Sequence, residues 1–126
     1  MKTTMTKKLL AIALIGLFSQ FSMADDASSQ KTIAGILVGL NHFPSDADKS
    51  ALMAIAEDES NNRGTRAIAS AVASISHAAT AEDKDIMGRI MSAEQAPAQT
   101  KALAGVVAEL NHMASADAKA ILQAML

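Results

Sequence analysis

The chain has 126 residues, no cysteine, three aromatic side chains and a net charge of −2. Without cysteine it can form neither a disulfide nor a cysteine-linked lipid anchor, so its core or its assembly must hold it together. A chain that is acidic and poor in aromatic side chains lacks the cationic surface and the stacking groups that nucleic-acid-binding proteins use.

The first segment, residues 1–24, has the pattern of an export signal. Lys2, Lys7 and Lys8 precede an apolar stretch over residues 9–18, and small residues end the segment at Ala24. The apolar stretch is shorter than the roughly 20 residues that a membrane-spanning helix needs. We therefore expect cleavage after Ala24, a periplasmic or secreted protein, and no stable membrane anchor after cleavage.

Removal of this signal changes the charge of the protein. The mature chain keeps 8 basic and 13 acidic side chains, a net charge of −5, and one aromatic residue, Phe43. This composition argues against binding to nucleic acid or to an anionic membrane surface. The polar residues 25–30 are predicted to form a disordered leader ahead of one domain, residues 31–126.

Three copies of a 25-residue segment make up most of that domain. They cover residues 31–55, 66–90 and 101–125, with an offset of 35 residues and no insertion. Internal repeats of this length indicate stacked supersecondary units. Three positions are identical in all copies: Ala34, Ala69 and Ala104; His42, His77 and His112; Lys49, Lys84 and Lys119.

The first half of each copy predicts a helix with one apolar face. In the first copy Ile33, Leu37 and Leu40 recur at helical spacing, which places them on one side of a helix. Small residues such as Ala34 lie beside this stripe. We expect the three equivalent alanines to be buried where helices approach each other closely.

A turn and a second helix follow in each copy. Ser45, Thr80 and Ser115 occupy the same position after the turn, where a hydroxyl can accept a hydrogen bond from the first free N–H groups of a helix. Apolar residues then recur at helical spacing, as in Ile121, Leu122 and Met125 of the third copy. Each copy thus predicts a helix–turn–helix hairpin.

The predicted fold is all-α, with three tandem hairpins packed as a small six-helix bundle or as a short helical repeat array. The apolar face of the last helix, through Leu126, must be buried against another apolar surface. A closed bundle would supply one, because the third copy could pack on the first. A homodimer is the alternative.

The recurring histidines, His42, His77 and His112, are the candidate site. One interpretation is structural: at the end of a helix an imidazole can donate to free carbonyl groups and interact with the helix dipole. The other is a copper or zinc site, since imidazole is a common ligand of both ions. Each repeat holds one histidine, so a metal site requires the hairpins to be arranged around an axis.

Other motifs indicate binding rather than catalysis. The recurring lysines predict solvated or ion-paired side chains, and the five methionines of the mature chain predict core packing. No nucleophile–base–acid set and no phosphate-binding loop stands out, so no enzyme is expected. The sequence predicts an exported interaction protein with an unidentified protein partner. The alternative function is periplasmic metal binding through the histidines.

Overall fold

The computed structural model describes residues 26–126 and has six α-helices in this range. The predicted export signal and its cleavage site lie outside the described residues. The fold is all-α, as predicted. The helices are α1 (residues 26–39), α2 (Asp46–Glu57), α3 (Arg63–Ala73), α4 (Ala81–Ser92), α5 (Ala98–Glu109) and α6 (Ala116–Ala124).

The inner helices α1, α3 and α5 surround a common axis. Gln30 at the start of α1 reaches Thr65 of α3 and Thr100 of α5 through hydrogen bonds. His42, after the end of α1, meets the equivalent histidines that follow α3 and α5. Because equivalent residues meet at both ends, the three helices run parallel and in register.

Residues that are 35 positions apart form layers of three along this axis. The side chains of all layers are almost fully buried, so each repeat contributes equally to one core. From one end to the other the layers are Gln30, Thr65 and Thr100; Ile33, Ile68 and Leu103; Ala34, Ala69 and Ala104; Leu37, Val72 and Val107; Leu40, Ile75 and Leu110.

The outer helices α2, α4 and α6 begin with the predicted caps. The hydroxyl groups of Ser45, Thr80 and Ser115 each accept a hydrogen bond from the N–H three residues later, at 3.1, 3.0 and 3.1 Å. Each cap satisfies one of the N–H groups that a helix start leaves free. One buried apolar residue anchors each outer helix to the core: Leu52, Met87 and Leu122.

An outer helix packs mainly on the inner helix of the following copy. Arg66 of α3 donates from Nε to the carbonyl oxygen of Ala56 in α2, at 2.8 Å. A Cβ added to Gly105 of α5 would lie 3.3 Å from Sδ of Met91 in α4. The two helices of one hairpin contact each other less than this. The closely packed pair is therefore the outer helix of one copy with the inner helix of the next copy.

The last outer helix packs on the first inner helix in the same way, and this contact closes the bundle. The side chain of Leu126, just after α6, lies beside Gly35 of α1, with Cδ2 of the leucine 3.9 Å from a Cβ built on the glycine. The third copy therefore packs on the first. Of the two arrangements that the sequence allowed, the structure has the closed six-helix bundle and not an open array.

The predicted disordered leader is wrong for residues 26–30, because they are part of helix α1 and because Asp26 and Gln30 are buried. Asp26 accepts hydrogen bonds from the backbone N–H of Asn62, at 2.9 Å, and from the side chain of Gln30, at 3.1 Å. Gln30 also donates to Thr65 and Thr100 at 3.0 and 2.7 Å. Asn62, Thr65 and Thr100 lie in the connectors between the copies, more than 30 residues along the chain. They order a segment that local composition describes as a polar leader.

Overpacking should test the central alanine layer. Ala34, Ala69 and Ala104 are 0% exposed, as predicted. Ala69→Leu should lower the free energy of unfolding by about 1–3 kcal/mol, because added methyl groups have no room between helices. Urea denaturation measures this change, and Ala54→Leu on the exposed side of α2 is the control. Equal stability of both variants would contradict the close approach of the inner helices.

Candidate metal centre

A tight turn follows each inner helix and carries one histidine. His42, His77 and His112 have φ angles of 72°, 72° and 69°, and within the described residues no other non-glycine residue has a positive φ. In the first turn the N–H of Phe43 donates to the carbonyl oxygen of Asn41 at 2.8 Å. Positive φ strains an L-residue, and such strain often occurs at functional sites.

Backbone hydrogen bonds join the three turns in a closed ring. The N–H of His42 donates to the carbonyl oxygen of His112, that of His112 to His77, and that of His77 to His42, at 2.5, 2.5 and 2.6 Å. The ring crosses the boundary between the first and last copies. It therefore fixes the three Cα atoms relative to one another and leaves only side-chain rotations free.

The three imidazole rings, here called the histidine cluster, gather at this end of the bundle axis. Their centroids are 5.1, 5.0 and 5.1 Å apart, and their planes cross at 87°, 88° and 81°. The buried layer of Leu40, Ile75 and Leu110 lies directly before them in the three copies. His42 is half-buried, whereas His77 and His112 are exposed, so the cluster has a packed side and a solvent side.

These separations allow the three rings to share one metal ion. With metal–nitrogen bonds of about 2.0–2.1 Å, three imidazoles on a tetrahedral ion have ring centroids about 5.2 Å apart, against about 5.5 Å in a trigonal plane and about 4.5 Å on an octahedral face. The observed separations of 5.0–5.1 Å lie within the range that these geometries span. One nitrogen from each ring lies within 4.8 Å of the other two, and side-chain rotations would have to bring these nitrogens to the roughly 3.4 Å of a tetrahedral site.

A neighbouring amide orients one of the rings. Nδ1 of His112 lies 2.7 Å from Oδ1 of Asn111. The amide oxygen can only accept, so this contact is a hydrogen bond in the tautomer with the proton on Nδ1, and in that tautomer Nε2 keeps the lone pair that a metal would use. The first copy has the equivalent Asn41, and the second has Ser76. Asn111 is a site residue that the sequence interpretation missed, although Asn41 and Asn111 precede their histidines at the repeat spacing.

Acidic side chains are concentrated at the same end. The outer helices begin four residues after each histidine, and their first turns hold Asp46, Asp48, Glu82, Asp83 and Asp117. These carboxylates outnumber the three recurring lysines of the same turns and favour the approach of a cation. At the opposite end, hydrogen bonds from the hydroxyl and N–H of Ser60 lower the pKa of Asp58.

The structure thus brings together the three predicted site residues from different repeats. Within residues 26–126 the only hydrogen bond of a histidine ring is the one to Asn111; none joins a ring to a helix carbonyl. The one ion pair in this part of the chain joins Arg89 to Asp85 at 2.9 Å. The lysines therefore make no ion pair among the described residues.

No described helix combines the length and hydropathy that a membrane span requires. Comparison with known proteins finds no family model, no curated protein and no solved structure that matches the chain.

Proposed function

We propose that this protein binds one zinc or copper ion at the histidine cluster. The observation that carries the proposal is the convergence of three imidazoles, one from each repeat, with ring centroids 5.0–5.1 Å apart. Imidazole nitrogen suits zinc and copper, whereas magnesium and calcium prefer oxygen ligands. Binding without catalysis is the proposed activity, because the sequence supplies no nucleophile–base–acid set beside these ligands.

The strained turns support a role for the rings themselves. A left-handed backbone position is easiest for glycine and is also tolerated by asparagine. The chain instead has histidine at all three positions, with φ near 70°. If the turn had only a structural task, glycine would perform it with less strain. Retention of three imidazoles at such positions favours a shared ligand over three separate helix-end contacts.

An interaction module is the second candidate function. An open groove of ≈ 440 Å³ between α5 and α6 supports it, with Val106, Leu110 and Ile121 among its apolar residues and Glu109 and Asp117 among its acidic ones. Such a groove suits a partner that combines apolar and basic groups. This candidate predicts a protein complex that forms with or without metal. We place either function in the periplasm or outside the cell, because of the export pattern of residues 1–24.

The variant His77→Asn tests metal binding. Asparagine tolerates a positive φ, so the turn should fold while the cluster loses one ligand. Removal of one of three ligands should weaken zinc binding by about 100-fold or more. Titration of untagged protein by calorimetry, with zinc and separately with copper, measures the affinity and the stoichiometry.

The neighbouring substitution Ser76→Ala is the control, because it changes the same turn and leaves the three imidazoles in place. It should bind metal like the wild type. A wild-type protein that binds neither ion at a ratio near one per chain would contradict the proposal. So would a His77→Asn variant that binds the ion as tightly as the wild type does.

A further inference from the structure

We propose that the metal at the histidine cluster is copper(I), and that the thioether of Met113 is its fourth ligand. This inference rests on the proposed function, since it concerns the ion and the last coordination position of the same site. Three imidazoles occupy three corners of a tetrahedron. The fourth corner lies on the bundle axis, on the side of the cluster away from the buried layer of Leu40, Ile75 and Leu110.

The residues that can reach this corner are few. Within residues 26–126, no aspartate or glutamate side chain lies close enough to share a metal site with the three histidines. Asn111, just before a histidine, already contacts Nδ1 of His112 through its Oδ1. The residues that directly follow the histidines are the other neighbours of the cluster in sequence. In the three copies these are Phe43, Ala78 and Met113. Of these three, only Met113 has a side-chain atom that can bind a metal.

Met113 is also placed unlike a core methionine. The sequence predicted that the five methionines pack in the core. Met87 does, at 0% exposure, and Met125 packs against the core half-buried, but Met53, Met91 and Met113 are exposed, so the prediction is wrong for these three. Met113 is 46% exposed and is not among the half-buried residues that pack against the core. Its backbone N–H donates to the carbonyl oxygen of Asn111 at 2.8 Å, which holds its Cα beside the cluster. Three rotatable bonds then let the sulfur turn toward the axis.

The chemistry of this ligand set selects copper(I). Thioether sulfur is a soft ligand that binds copper(I) well and contributes little to zinc. Three neutral nitrogens and one neutral sulfur therefore match copper(I) better than zinc.

The test compares copper(I) and zinc binding by Met113→Leu. Leucine has a similar volume and no sulfur, so folding should be preserved. Competition with a chromophoric copper(I) chelator under anaerobic conditions should show copper(I) binding weakened by about tenfold or more, with zinc affinity changed by less than about twofold. X-ray absorption of the copper(I)-loaded wild type should show one sulfur neighbour that the variant lacks.

Met91→Leu is the matched control, because Met91 is also exposed, at 40%, but lies at the far end of α4. The third copy has Leu126 at the equivalent position, so leucine fits there. The control should bind copper(I) like the wild type. Equal copper(I) affinity of Met113→Leu and the wild type, or wild-type binding of zinc but not of copper(I), would overturn this inference and leave the proposed function standing. Failure of the wild type to bind either ion would overturn both.

Discussion

Deletion of residues 121–126 should unfold the whole domain and not the last hairpin alone. The deleted segment contains Leu122, which is 0% exposed, and Leu126, which packs beside Gly35 of α1. Loss of one fully buried leucine side chain usually costs about 2–5 kcal/mol, and a small domain has only about 5–15 kcal/mol of stability in total. The deletion also uncovers α1, so the loss exceeds that of one side chain.

The closed ring explains why the effect should spread. In an open array each copy contacts its neighbours only, and the first two copies could stay folded without the third. Here every core layer takes one residue from each copy, so that Ile33, Ile68 and Leu103 share a layer. Opening the contact between α6 and α1 removes support from a layer that all three copies build.

Amide exchange measures the result at the level of single helices. In the truncated protein the N–H groups of α1, α3 and α5 should lose protection together. The point variant Ile121→Ala, which shortens a side chain that is 44% exposed, is the control and should keep wild-type protection. Persistent protection of α2 and α3 in the truncated chain would mean that part of the ring folds alone.

The existence of the helices and the starts of the outer helices follow closely from local sequence. The stripe of Ile33, Leu37 and Leu40 predicted an inner helix with one buried face, and those residues are buried. Ser45 predicted the start of α2 through a cap, and the cap is present. These features depend on residues within a few positions of each other, so spacing alone is enough to predict them.

The sequence predicted which residues form the candidate site, but it did not predict that these residues meet. His42, His77 and His112 recur at one position of the repeat, but 35 residues separate neighbouring histidines. Whether they meet depends on closure of the ring, and the final apolar face allowed closure, a dimer or a partner. Distant contacts also explain why the prediction of a disordered leader was wrong. Asp26 and Gln30 are ordered by partners more than 30 residues away in the sequence.

Metal should stabilise the entire domain, because the histidine cluster takes one ligand from each copy. An ion that binds only the folded chain adds about 2.7 kcal/mol at a free concentration of 100 times its Kd. For a domain of this size that corresponds to a rise in Tm of about 10–20 °C. The backbone ring already joins His42 to His112, so the ion reinforces the contact between the first and last copies that the truncation removes.

Thermal unfolding of the apo and metal-loaded proteins measures this gain. A chelator of the loaded ion, EDTA for zinc or a copper(I)-specific chelator for copper(I), is added afterwards to reverse it. His77→Asn should melt at nearly the apo temperature with or without metal, because two imidazoles remain. Ser76→Ala should gain as much as the wild type. The gain should also appear at residues remote from the cluster, since folding of the ring is cooperative. Amide protection near Gln30, at the other end of the axis, should increase with metal; an increase confined to the three turns would show that the ion orders the turns without tightening the ring.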